Sequence, residues 1–176
     1  GPALALRSAD GADLRADDPL HEAARRLRDG QIVAIKSLGG YHLACDAKND
    51  GAVRALRERK GRPAKPLAVM FQSLEEIRRF AGVGEAEARE LESPAAPVVI
   101  LKRASGTGLS ALLSPDTDDI GAFLPYTPLH HLLLSEISPL VMTTANLSEE
   151  PIAKDEEELK RLLGRVADPA LIHNRP

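Results

Sequence analysis

The apolar positions of this chain change period many times. In "DDPLHEAARRLRDG", Leu20, Ala23, Ala24 and Leu27 recur at three- and four-residue spacing and so share one helical face. Asp18 is the predicted cap, Pro19 the first helical residue and Gly30 the stop. "QIVAI" then reads as a strand, "SLGG" as a loop and "YHLACDA" as a second strand. "NDGAVRALRERK" is a helix capped near Asn49, with Val53 and Leu56 inward, and "PLAVMF" is a short buried strand. "SLEEIRRFA" opens on a Ser-x-x-Glu capping box, and "EAEARELE" continues as helix up to Pro94. "PVVILKR" carries the strongest strand pattern, and "IGAFLP" follows as another strand. "TPLHHLLLSEI" is a helix, "PLVMTTAN" a strand running into a polar loop, "KDEEELKRLLG" a helix and "PALIH" a last strand. About seven strands interleave with five or six helices, which predicts an α/β fold with helices layered on a twisted sheet.

Composition narrows the function. At 176 residues, residues 1–176 are expected to form a single domain with a real core. A net charge of -3 and only 3% aromatic residues argue against a general nucleic-acid binder. No apolar run approaches the length of a membrane span, and one cysteine excludes an internal disulfide, so a cytoplasmic setting is expected. The chain lacks an initiator Met and opens on Gly1-Pro2, either native sequence at a cut or a protease scar, which suggests a module taken from a longer protein.

No phosphate loop of the G-x-x-x-x-G-K-[ST] type and no G-x-G-x-x-G is present. His21, His42, His130, His131 and His173 are scattered without zinc spacing, so no protein-held metal is expected. His130 and His131 are adjacent on a helix, so one faces in and one out. Cys45 sits mid-strand and reads as core. Asp46, Asn49 and Asp50 read as helix caps.

Three segments carry candidate chemistry. "LRERKGRPAKP" gathers Arg57, Arg59, Lys60, Arg62 and Lys65 where a helix ends and a proline loop begins. These cations either complement the helix C-terminal dipole on a wet surface or converge on a polyphosphate. "TTANLS" offers Thr143, Thr144, Asn146 and Ser148 at a strand's C-terminal end, either a ligand floor or a capping turn. "KSLGGYHL" places Lys36, Ser37, Gly39, Gly40 and Tyr41 around a glycine pair that admits either a ligand or a tight hairpin. Together they describe a polar floor, a cationic wall and a glycine turn, which suits a nucleotide held without a Walker loop.

The blocks "KSLGGYHLACDAKND", "LRERKGRPAKPLAVMF", "FLPYTPLHHLLL", "PLVMTTANLSEEPI" and "LIHNRP" resemble the YrdC-like domain of HypF-type carbamoyltransferases, maturation factors for [NiFe]-hydrogenases. The resemblance spans nearly the whole chain in order, and its short motifs are shared with YrdC/Sua5 threonylcarbamoyl-adenylate synthases. It implies a twisted open mixed sheet flanked by helices, with a basic concave nucleotide site. The implied activity joins carbamate, released from carbamoyl phosphate, to ATP with Mg²⁺. The products are carbamoyl-adenylate and pyrophosphate, and a neighbouring domain passes the carbamoyl group to the C-terminal cysteine of HypE. By the resemblance, Lys60, Arg62, Thr144 and Asn146 are the catalytic set. Nucleotide binding adds Lys36, Ser37, Gly39, Gly40, Tyr41, Lys65, Thr143 and Ser148.

Arg57 and Arg59, still on the helix, are expected to be surface residues. Phe123 stands where the tRNA-modifying synthases tend to carry Arg, and Glu149 replaces a usual Gly. The family pattern runs on past "HNRP" with a further segment near the site, so binding without turnover is an expectation for this chain. The rival activity is threonylcarbamoyl-adenylate synthesis for tRNA. A double-stranded RNA-binding module using the cationic turn is the rival from another class.

Overall fold

The computed structural model describes residues 3–8, 10–14, 17–146, 151–162, 165 and 167–173. Two short strands, β1 (Leu4–Arg7) and β2 (Asp13–Leu14), precede the first helix. Sequence periodicity missed them because they are too short to show alternation. Helix α1 (Pro19–Arg28) begins as predicted: the Asp18 carboxylate accepts the His21 amide at 3.1 Å, and Pro19 occupies the first turn. Gly30, at φ 88, lets the chain leave the helix. Strands β3 (Val33–Ser37) and β4 (Gly40–Asp46) then pair antiparallel, with Ser37 opposite Gly40. Helix α2 (Asp50–Lys60) is capped by Asn49, which accepts the Ala52 amide at 2.9 Å, and ends at Gly61 in the left-handed region.

The middle of the chain contains β5 (Val69–Met70), α3 (Leu74–Phe80), α4 (Glu85–Leu91) and β6 (Val99–Lys102). Ser73 caps α3 by accepting the Glu76 amide, as the capping box predicts. Between α3 and α4 the chain becomes extended at Ala81, which bridges Arg103. Then come β7 (Asp119–Phe123), α5 (Pro128–Glu136), β8 (Leu140–Thr144), α6 (Glu156–Leu162) and β9 (Ala170–His173).

Among the described residues nine strands form one mixed sheet, ordered β2-β1-β9-β3-β4-β8-β5-β7-β6. The β9–β3 and β5–β7 pairs are parallel and the others antiparallel. Side chains alternate between the sheet's two faces and build two cores. Tyr41, Leu43 and Cys45 of β4 join Val141 of β8 beneath α2, α3 and α4. Ala44, Leu140 and Met142 point the other way, beneath Ala23, Ala24 and Leu27 of α1 and Leu129, Leu133 and Leu134 of α5.

This second face is not covered along its whole width. On β6, Val99 and Leu101 are buried in the first core, while Ile100, on the opposite face, is 59% exposed. The strongest strand pattern in the sequence is therefore an edge strand whose second face lies open. Its neighbour contributes Gly121, where a Cβ would stand 2.9 Å from Val98 Cγ1. A cavity opens at this uncovered end.

A cationic turn joined to a neutral cavity

Strand β8 ends in Thr143 and Thr144, and Lys60, the last residue of α2, reaches this end from below. Its Nζ donates to Thr143 Oγ1 at 3.2 Å, to the Thr144 carbonyl at 2.8 Å and to Asn146 Oδ1 at 3.3 Å. The Thr144 hydroxyl also donates to Asn146 Oδ1, at 2.8 Å. Lys60 is only 2% exposed, an unusual place for an ammonium with no carboxylate partner among the described residues. Burial, and then the neighbouring Arg62 charge, push its pKa down to about 8.

The loop that follows is fixed from within. Arg57 is 6% exposed, contrary to the expectation of a surface residue. Its guanidinium donates to the carbonyls of Arg62, Lys65, Leu112 and Leu113, which draws it inward. Arg59 does lie at the surface and pairs with Asp168 at 3.3 Å. Arg62 is half-buried and donates to the Pro66 carbonyl at 3.3 Å, while its Nε is buried without a partner among the described residues. The Lys65 side chain is exposed.

The glycine turn is a tight hairpin, with Gly39 at φ 76 and Gly40 at φ 146. At Gly40 a Cβ would meet the Ala153 carbonyl at 2.7 Å, so this glycine admits protein backbone rather than a ligand. The same carbonyl accepts the Tyr41 amide at 2.8 Å. Gly39 has nothing within 4 Å of its Cβ position. Lys36 Nζ sits 4.8 Å from the centre of the Tyr41 ring and donates to the Lys154 carbonyl at 3.4 Å. Ser148 and Glu149 lie outside the described residues.

A cavity of about 580 Å³ opens beside the β8 turn. Thr143 and Thr144 form one side, His42, Phe123 and Met142 the floor, and Tyr126 and Leu38 another side. The Pro94–Ala96 segment and Val98 close the edge, with Ala96 in the left-handed region at φ 45. None of the described residues lining this cavity is Asp, Glu, Lys or Arg. Its imidazole is held neutral: burial, and then the Lys60 charge, lower the His42 pKa. Behind Tyr126 lies His130, fully buried as the helical geometry predicts, while His131 is exposed. The His130 ring meets Tyr126 edge-on at 4.6 Å, and its Nε2 lies 3.5 Å from Ser37 Oγ. Burial and the nearby His42 and His131 bring its pKa down to about 4.

The sequence model of Sua5/YciO/YrdC, described as "Telomere recombination", matches residues 25–176. The chain belongs to this family. The carbamoyltransferase HypF of Rhodobacter capsulatus is 47% identical over 176 residues, 99% of this chain and 23% of that protein. A crystal structure of full-length HypF in a phosphate- and nucleotide-bound form superposes with a TM-score of 0.91 at 43% identity, over 99% of this chain and 23% of that one. Human threonylcarbamoyl-AMP synthase is 31% identical over 151 residues, covering 82% of this chain and 52% of the synthase. The chain thus spans about a quarter of the length of the HypF relatives it matches.

In this Sua5/YciO/YrdC family member, the residues picked from sequence fall into two groups. Lys60, Thr143, Thr144 and Asn146 meet directly, and Arg62 stands beside Lys60. Lys36 and Tyr41 instead pack against the Lys154 and Ala153 carbonyls, and Ser37 lies behind Tyr126 and His130. Sequence reasoning missed His42, Tyr126, His130 and Arg57. The signal for His42 was its alternation with buried Tyr41 and Leu43 on one strand, which turns it to the opposite face. Arg57 gave no signal, because its partners are backbone carbonyls, two of them 55 and 56 residues away along the chain.

Proposed function

We propose that this chain binds ATP at the β8 turn and joins carbamate to it, giving carbamoyl-adenylate and pyrophosphate. The observation that carries this reading is the junction of two unlike surfaces. Lys60, without a carboxylate partner among the described residues, bonds Thr143 and Thr144, and these two also line a cavity without charged residues. The cation suits a polyphosphate and the cavity a neutral planar group. The nucleotide-bound HypF structure lends the reading support.

In this reading a carbamate oxygen attacks the α-phosphorus, the bond to the β-phosphate breaks, and pyrophosphate leaves with the electron pair. Charge builds on the departing phosphates, and fixed positive groups stabilise it. Lys60 supplies its field from a dry position and holds Thr143, Thr144 and Asn146 in place. Arg62 and Lys65 approach the phosphates from the loop, and the Thr144 and Asn146 side chains orient the α-phosphate and carbamoyl group. Among the described residues no three acidic, histidine or cysteine side chains converge on a metal site. A Mg²⁺ accompanying ATP would neutralise charge on the phosphates. The carbamoyl group then passes to a protein acceptor, the C-terminal cysteine of HypE, through a further domain.

A threonine substrate brings a carboxylate into the site. Carbamate gives up its own charge when its oxygen joins the α-phosphorus, whereas threonine's carboxylate stays ionised, and an unpaired carboxylate in a cavity without cations costs several kcal/mol. RNA binding is disfavoured because Arg57 faces inward and Arg59 is already paired. The test supplies ATP and Mg²⁺ with carbamate or carbamoyl phosphate, then with threonine and bicarbonate, and follows pyrophosphate and the adenylate. Product in the first mixture is expected from a chain that continues past Pro176 as the family pattern does, and ATP binding without turnover from this one; product in the second mixture alone would reverse the assignment.

A further inference from the structure

We propose that Arg57 is the positioning residue of the site: it touches no substrate but sets the path of the loop that carries Arg62 and Lys65. The proposal rests on reading that loop as the phosphate-binding element. Arg57 Nη1 holds the Arg62 carbonyl at 3.0 Å and the Lys65 carbonyl at 2.8 Å, so both ends of the loop's turn are fixed by one nitrogen. Its Nε holds the Leu112 carbonyl at 2.6 Å and its Nη2 the Leu113 carbonyl at 2.9 Å. These belong to a 3-10 turn, Ala111–Leu113, whose Leu113 carbonyl also accepts the Leu67 amide at 3.0 Å just ahead of β5. The Arg62 amide returns to the Arg57 carbonyl at 2.9 Å, so Arg62 is held to Arg57 through its amide and its carbonyl alike.

Only a planar fork with several fixed donors can join four carbonyls from two segments. A lysine ammonium has three donors on one atom and cannot span them. The arrangement is also electrostatically costly. Burial, and then Arg62, lower the Arg57 pKa, and among the described residues no carboxylate offsets the charge. A retained cation both shapes the loop and adds to the potential felt by an anion bound there.

The experiment compares wild type, Arg57→Lys and Arg57→Ala in the 176-residue chain. It measures ATP affinity by calorimetry, amide hydrogen exchange across residues 58–67 and 111–114, and rescue by millimolar guanidinium against equal sodium chloride. Both variants are expected to lose affinity by roughly tenfold to a hundredfold, the scale of a misplaced positioning group. Exchange at residues 61–65 is expected to quicken while β3 and β4 stay protected. Guanidinium, but not sodium, is expected to restore part of the binding by Arg57→Ala, a response that general destabilisation does not give. Should Arg57→Ala fail to fold, Arg57→Lys carries the test. Wild-type affinity and unchanged exchange in Arg57→Lys would overturn the proposal. If wild type itself does not bind ATP, the nucleotide reading fails separately. Exchange then decides the positioning role: quickened exchange at 61–65 sustains it, and unchanged exchange removes it.

Discussion

Two helices of this protein end in three cations each, and they use them in opposite ways. Helix α1 closes with Arg25, Arg26 and Arg28, and α2 with Arg57, Arg59 and Lys60. At α1 the charges meet carboxylates. Arg25 bonds Glu22 and Asp29, Arg26 bonds Glu22 at 3.1 Å, and Arg28 lies 3.8 Å from Glu136. Glu22 responds, its pKa lowered to about 2 chiefly by the Arg25 hydrogen bond. At α2, among the described residues, only Arg59 finds a carboxylate, while Arg57 and Lys60 turn inward onto carbonyls, a hydroxyl and an amide. The first helix end is neutralised and the second is left positive. Counting cations does not separate these cases; the chemistry of their partners does.

The comparison is most exposed at Arg57. Replacing it with Ala removes the guanidinium from four carbonyls, of which Leu113 keeps the Leu67 amide, and should cost roughly 4 kcal/mol in urea unfolding. A loss no larger than that of an α1 arginine would erase the distinction. Next comes Lys60→Met, which removes the charge beneath the β8 turn. In a chain that continues past Pro176 it is expected to lower kcat/KM for ATP about a hundredfold, the scale of losing one preorganised electrostatic group. Arg28→Met should leave that parameter unchanged.

A smaller effect comes from pH. Lys60 ionises at about 8 in the folded chain, below its usual 10.5. ATP affinity in the free protein should therefore fall above pH 8, by at most about tenfold per unit. Stability moves the other way. Between about 8 and 10.5 the unfolded chain holds this proton more tightly, so the contribution of Lys60 to stability rises with pH. Titrations of binding and of unfolding that slope in the same direction would place the lysine elsewhere. The smallest expected change is Arg26→Ala, a part-exposed pair member, within about 0.5 kcal/mol and fading further with salt.

Much of the architecture was legible because it follows from local rules. The caps at Asp18, Asn49 and Ser73 and the period changes around them locate three helices. The β3–β4 hairpin follows from its glycine pair. The order of strands was not legible, since β9 enters between β1 and β3 through pairing set by the whole fold. The candidate site divides in the same way. Lys60, Thr143, Thr144 and Asn146 were found because polar groups at a strand end and cations at a helix end are visible in one dimension. Arg57 was misread because a buried arginine and an exposed one look alike in sequence when the partners are backbone oxygens. The neutral cavity was invisible, for it is made by residues from five separated segments, several of them small and apolar.

The most direct test of the central claim is a crystal structure of this chain with α,β-methylene-ATP. The expected result is a triphosphate between Arg62 and the Thr144–Asn146 turn, with the uncharged base or ribose in the cavity beside His42 and Phe123. An analogue bound elsewhere, with the Thr144–Asn146 turn unoccupied and the cavity open, would contradict it.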